Sequence, residues 1–458
     1  MVKFIIVLTI CGALGCAASV AVSAESNRAA DRTTSTAVAL VGGTLVDGFG
    51  GTPVPDSVVL IEKERISAVG TRASVSIPPG AKVINAQGMS VLPGLWDMHV
   101  HTMILGHSDY RHWDEAYLTQ LEKVIMPAAA HQLLMAGVTS ARDLGAPLEP
   151  ILRVRNAIAE GTMTGPTLYV SGPFLQHAPY ENEEAYRWGI TGPDDARQKV
   201  RRLADAGVNT IKLIDQDQMT LDEVRAVVDE AHKRKLTVVA HAHRPEEIRR
   251  GLVVGVDCFE HTGLGLAPEY PPDIIAMIRE RTANTSRGPL FWTPTVQPLL
   301  YYEPMRDNTD WLRDASWQVK VPDPIVEDIR RSLQHPDRLA YFTYVPSRRP
   351  TVARKFAQLR ESGVMTLVGT DSGIPMSFHS QSTARELRAW VRLLDVSPMD
   401  ALRAATYWPA VLMKVDDQVG TVAEGKYADI IAVKGDVLAN IELLSAPAIV
   451  IKRGHRYK

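Results

Sequence analysis

The stretch Leu92-Pro-Gly-Leu-Trp-Asp-Met-His-Val-His101 ends in two histidines separated by one residue, after an apolar, strand-like run. Alternate side chains of a strand share a face, so Asp97, His99 and His101 are expected to point the same way. Two neutral imidazoles on one rigid support can hold a divalent metal ion. Further along, Lys212 lies in Thr210-Ile-Lys-Leu-Ile214, and His241 ends Thr237-Val-Val-Ala-His241. His261 ends Asp257-Cys-Phe-Glu-His261, and Asp371 ends Thr366-Leu-Val-Gly-Thr-Asp371. One buried histidine is usually a satisfied core residue. Four imidazoles, an amine and a carboxylate, all at or near the ends of apolar runs, suggest instead one metal centre that activates water.

Such a centre needs a scaffold that brings distant strand ends together. The middle of the chain alternates strand-like runs with amphipathic helical stretches, the pattern of a parallel sheet. The runs begin at Leu95, Val138, Thr167, Thr210, Thr237, Asp257, Phe291 and Thr366. A helix is predicted from Leu221 to Lys235, with Thr220 as N-cap and Glu223 completing a capping box. These units imply an α/β fold, a (β/α)8 TIM barrel over 93–411 whose active site lies at the carboxyl ends of the strands. Residues 38–92 and 412–458 have strand-like runs and little helical periodicity. They are expected to form one small β-sandwich domain built from both chain ends.

The composition is that of an ordinary globular protein. The chain has 458 residues and a formal net charge of -2, with no long basic run, which argues against nucleic acid as a partner. Residues 1–24 read as a signal peptide: Lys3, an apolar stretch from Phe4 to Val22, and a Val22-Ser23-Ala24 cleavage site. The expected location is therefore periplasmic or secreted, with no membrane span in the mature chain. A retained anchor, or a lipid anchor at Cys16, is the alternative. Residues 25–37 read as a polar linker. Of three cysteines only Cys258 would survive cleavage, so no internal disulfide is expected.

The arrangement resembles the amidohydrolase superfamily, in the branch of imidazolonepropionase-like proteins and metal-dependent Xaa-Pro and Xaa-Lys/Arg carboxypeptidases. The marks are the His99-Val-His101 stretch, Gly137-Val-Thr-Ser-Ala-Arg-Asp-Leu-Gly145, Ile211-Lys-Leu213, Ala240-His-Ala-His243, Phe259-Glu-His261, Gly369-Thr-Asp-Ser-Gly373 and Gly425-Lys-Tyr-Ala-Asp429. The resemblance implies two divalent metal ions, zinc first, with manganese, cobalt and iron as alternatives. It implies that His99, His101 and Asp371 hold the inner ion and His241 and His261 the outer one. Lys212, as N6-carboxylysine, would bridge them. It further implies attack by a bridging hydroxide, with Asp371 as general base and then acid. The expected reaction is hydrolysis of an amide, with dipeptides or N-acyl amino acids as substrates. Carbamates, aryl amides, cyclic amides and lactones are the nearby alternatives. A mononuclear deaminase and a non-catalytic binding protein are the more distant ones.

Other residues are candidates on position alone. Asp97 could orient a ligand histidine or make a strand-end hydrogen bond. His177 and His243 could meet substrate. Arg142 could pair with a substrate carboxylate, a structural pair with Asp143 being the preferred alternative. Asp429 reads as structural. The long segment from Gln297 to Arg349 carries Tyr301, Tyr302 and other aromatics. It is expected to wall or cover the mouth, or to form an oligomer contact.

Overall fold

The computed structural model describes residues 37–181, 183–263, 265–338 and 340–458. The expected signal peptide, Cys11, Cys16 and all but the last residue of the 25–37 linker lie outside them. Among the described residues, no helix is long and apolar enough to cross a membrane.

The two chain ends meet in one sheet. Val38–Leu45 pairs antiparallel with Val54–Glu62, which pairs with Arg65–Thr71. Met89–Pro93 runs beside the first strand and then antiparallel to Ile430–Lys434, which carries Ile449–Lys452. Period two explains why this sheet has two buried faces. Ile430 and Ala432 pack with Leu40, Val59 and Ile451, whereas Ile431 and Val433 turn to the large core beneath the barrel helices. Residues 420–429, just before Ile430, are irregular and bent and form no regular strand.

The barrel strands fall where they were expected, most of them slightly shorter. They are Leu95–Val100, Val138–Asp143, Thr167–Val170, Thr210–Leu213, Thr237–His241, Cys258–Glu260, Phe291–Thr293 and Met365–Thr366. All pairings between them are parallel. The eighth strand is regular for two residues only, yet its continuation closes the ring by single hydrogen bonds. Met98 N donates to Val368 O at 2.9 Å, Asp371 N to His99 O at 2.7 Å and His101 N to Ser372 O at 2.8 Å. Gly369 allows this approach, because a Cβ there would sit 2.8 Å from His99 N and 2.4 Å from Thr293 Cγ2.

Strand three does not reach strand four alone. A second piece, Phe174–Gln176, touches strand four at Leu213 and carries a further short strand, Arg187–Gly189. The capped helix is present as Leu221–Lys233, with the Thr220–Glu223 box formed in both directions. The 297–349 segment folds into short helices, among them Gln297–Asp307 and Asp323–Ser332. It lies on the loop after strand one: Ser108 Oγ donates to Ser332 O at 2.6 Å, and His112 Nε2 lies 2.8 Å from Asp328 Oδ2.

Candidate metal centre

His99 and His101 project from the end of strand one toward Asp371 at the end of strand eight. Asp371 Oδ1 lies 3.4 Å from His99 Nε2 and 3.1 Å from His101 Nε2. His261 joins them from strand six, with ligand atoms of His99, His261 and Asp371 all within 4.8 Å of one another. A second group of the same tightness is His241, His243 and His261. His243, expected only as a pocket residue, therefore stands with the ligand histidines; its ring stacks on His261 at 4.3 Å. The backbone is strained here, with φ of 76° at His261 and 57° at Asp371. Left-handed non-glycine residues cost energy and cluster where a side chain must be re-aimed.

Lys212 is fully buried among these groups, and its Nζ has no hydrogen-bond partner among the described residues. Burial pushes its amine down to about 8, Arg142 adds to the depression, and Glu260 and Asp371 oppose it. Burial also holds His99, His241, His243 and His261 well below the ordinary imidazole range, so they are neutral donors. Arg187 is among the charges that depress His241. Burial alone would raise the Asp371 carboxyl, but His99, His101 and Lys212 bring it below its usual range. The donor set fits divalent cations. Neutral imidazoles, an anionic carboxylate, an orphaned buried amine and an unbonded His241 Nδ1 converge on one place.

The ligand rings are held from behind. His99 Nδ1 lies 2.8 Å from Glu260 Oε2, and Arg142 Nη2 donates to Glu260 Oε1 at 2.6 Å. Arg142, Glu260 and His99 are all buried, and Arg142 Nε also donates to Met98 O. Nδ1–H directed at a carboxylate leaves Nε2 with its lone pair facing the centre. His261 Nδ1 is paired in the same way with Thr295 Oγ1 at 2.8 Å. Sequence reading passed over Glu260. Its only signal was an acid inside an apolar run, in alternation with Cys258, on the face that turns into the barrel.

Several expectations are corrected. Asp97 does not share a face with His99. A register shift between Asp97 and Val100 breaks the alternation, and a bulge of this kind re-aims side chains. The Asp97 carboxylate accepts from Thr370 Oγ1 and Thr383 Oγ1, both at 2.7 Å, and from the His99 backbone N–H at 3.2 Å. It therefore clamps strands one and eight together without touching the His99 ring. Arg142 is not a substrate group, and its partner is Glu260 rather than Asp143. Asp143 instead accepts from Thr102 Oγ1 at 2.6 Å. His177 is exposed and does not line the cavity. Tyr301 and Tyr302 do not line it either. Tyr302 stacks behind Phe342 at 4.8 Å, and Phe342 forms part of the wall. Asp429 has the structural role expected of it, accepting from Arg453 N at 2.7 Å.

The cavity over the histidines has a volume of about 510 Å³. Its wall is largely apolar and aromatic, with Met103, Ile104, Phe174, Tyr186 and Phe342, and carries Asp114 and Arg187 as charged groups. Sequence reading passed over this wall because its residues come from separate connections.

A (β/α)8 barrel with a histidine-rich polar centre at the carboxyl ends of its strands defines a class of hydrolase barrels. Within that class, the profile of the Amidohydrolase family matches residues 90–289 and 311–456, and the chain belongs to that family. Among curated proteins it is 24% identical to an ochratoxinase of Aspergillus niger over 453 residues, 89% of this chain and 83% of the relative. Among solved structures it is similar to a candidate prolidase of Bifidobacterium longum, with 28% identity and a TM-score of 0.71 over 93% of this chain and 95% of the other. A Xaa-Pro dipeptidase with bound methionine shares the fold at 23% identity and a TM-score of 0.71, over 92% of this chain and all of the other.

Proposed function

We propose that this chain is an exported hydrolase of amide bonds that works with two divalent cations, zinc first, bridged by a carboxylated Lys212. One observation carries the reading: a fully buried amine with no hydrogen-bond partner among the described residues, set among buried and half-buried neutral imidazoles and a carboxylate. A lysine left in that state costs several kcal/mol of desolvation. Loss of one proton frees the amine, and addition of carbon dioxide to it forms an N–C bond and releases a second proton, so that the cation is replaced by an anion whose two oxygens suit divalent cations. The amine near 8 makes the neutral, nucleophilic form accessible at physiological pH.

His99, His101 and Asp371 would hold one cation and His241 and His261 the other. Bound there, the cations would supply water activation at neutral pH and polarisation of a substrate carbonyl. Asp371, kept anionic, takes the proton of the attacking water and returns it to the leaving nitrogen. The apolar cavity wall suits an acyl amino acid or dipeptide with an aromatic or aliphatic part. The candidate prolidase, at 28% identity, points to the same bond type. The export element rests on the Met1–Ala24 reading.

The test is direct. Protein prepared with ¹³C-bicarbonate and zinc is expected to bind two ions per chain and to show one carbamate carbon by NMR. Lys212→Met should lose that carbon and one ion, and should lose hydrolysis of N-acyl amino acids. One bound ion with release of ammonia from an aminated ring would overturn the proposal in favour of a deaminase.

A further inference from the structure

The cavity over the histidines contains one permanent cation among its described lining residues, Arg187, and the proposed reaction does not use it. Arg187 opens the short strand Arg187–Gly189, part of the insertion after barrel strand three. Three rings surround its guanidinium, at 5.0 Å from Phe174, 4.5 Å from Tyr180 and 5.8 Å from Tyr186. Nε is paired with Glu183, and Nη1 donates to Gln176 Oε1 at 3.1 Å. Nη2 makes no hydrogen bond to the described residues. The group is therefore fixed on two sides, backed by aromatic faces, and open on a third.

This is a costly way to place an arginine merely for stability. Ion pairs of this kind contribute little when solvated, and a local pair with Glu183 does not require a cage. A planar, pre-oriented guanidinium with an unused N–H edge is suited to a planar anion, and charge-assisted bonds to a carboxylate are about twice as strong as neutral ones. The second acid at the wall, Asp114, is occupied by the Tyr186 hydroxyl, which donates to it at 2.7 Å. Burial raises the Asp114 carboxyl to about 6, and Arg187 is among the groups that pull it back down.

We propose that Arg187 is the carboxylate subsite of this cavity, so that the substrate is an N-acyl amino acid or dipeptide with a free carboxylate and an aromatic or aliphatic side chain. This rests on the amide-hydrolase reading above for the bond that is cleaved, but not for the binding of the anion. Sequence reading missed the residue because it lies in an insertion outside the barrel pattern.

The experiment separates the two claims. In zinc-loaded full-length enzyme, benzoate release is followed from N-benzoyl-L-phenylalanine and from its carboxamide. Wild type is expected to favour the free acid by about 100-fold in kcat/KM, and Arg187→Met to reduce that ratio to a few-fold through KM. Arg187→Lys should retain an intermediate preference. In parallel, calorimetry measures 3-phenylpropanoate, which has no C–N bond, against wild type and Arg187→Met, with circular dichroism as the folding control. A loss of tenfold or more in affinity supports the subsite even if no amide is cleaved, in which case only the hydrolase reading fails. Equal affinity for 3-phenylpropanoate, or an unchanged acid-to-carboxamide ratio in a folded Arg187→Met protein, overturns the subsite.

Discussion

Replacing Glu260 by glutamine separates what holds the barrel together from what aims its ligands. Glu260 is completely buried and bonded on both oxygens, to Arg142 at 2.6 Å and His99 at 2.8 Å. Burial raises its carboxyl while Arg142 and Lys212 pull it down. The amide keeps the shape and removes the charge, leaving the Arg142 guanidinium buried without a counter-ion. Breaking one side of a buried pair costs about 3–5 kcal/mol. With an unfolding entropy of about 2.1 cal/mol/K per residue over about 420 residues, Tm should fall by about 3–6 °C. The second effect is on the tautomer. If the carbonyl oxygen of the introduced amide accepts from Arg142, its NH2 faces His99 Nδ1, the imidazole proton moves to Nε2, and that nitrogen can no longer ligate. Metal affinity should fall about 10–100-fold. Thermal unfolding with and without metal, and metal titration by calorimetry, measure the two effects separately. A double variant, Arg142→Met with Glu260→Gln, should recover most of the Tm and, because the amide is then free to turn its carbonyl oxygen to His99 Nδ1, part of the affinity. Wild-type metal affinity in folded Glu260→Gln would refute the relay.

Two further changes test neighbouring parts of the framework. Thr295→Val removes the Oγ1 paired with His261 Nδ1 at 2.8 Å and should weaken metal binding about 10–100-fold with little change in the apo Tm; an unaltered titration would show that His261 needs no such support. Glu386 is buried, accepts from the backbone N–H groups of Val296 and Gln297, and has its carboxyl raised to about 7 by burial. Its folded pKa lies above the unfolded value of 4.5, so the stability from the bound proton is complete below about 4.5 and is lost as pH rises through about 7. The difference is on the order of 3 kcal/mol, and Glu386→Gln should flatten the decline in denaturation midpoint between those pH values, a decline that persists unchanged only if Glu386 does not cause it.

The mouth of the barrel was legible in the amino-acid order because its logic is local. A histidine at a strand end, a lysine in the middle of an apolar run and an aspartate after a glycine are marked by their immediate neighbours, and eight parallel units leave one place for their ends to meet. Where period two holds, as in Thr237–His241, the inward-facing residues follow from counting. Counting failed at Asp97, because a register shift moved His99 onto a different face from the acid two residues earlier. It failed differently for Arg142 and Tyr302, whose types suggested ligand contact although one serves Glu260 and the other stacks behind Phe342.

From its sequence alone, the chain declares which groups can do chemistry and which strands carry them, since hydrogen-bond periodicity and polarity act between near neighbours. Tertiary structure alone decides what stands behind each group. The Glu260–Arg142 support of His99, the closure of strand eight on strand one and the aromatic cage of Arg187 join residues that only the folded chain brings together. Their pairing depends on packing, burial and one bulge, none of which short-range spacing encodes.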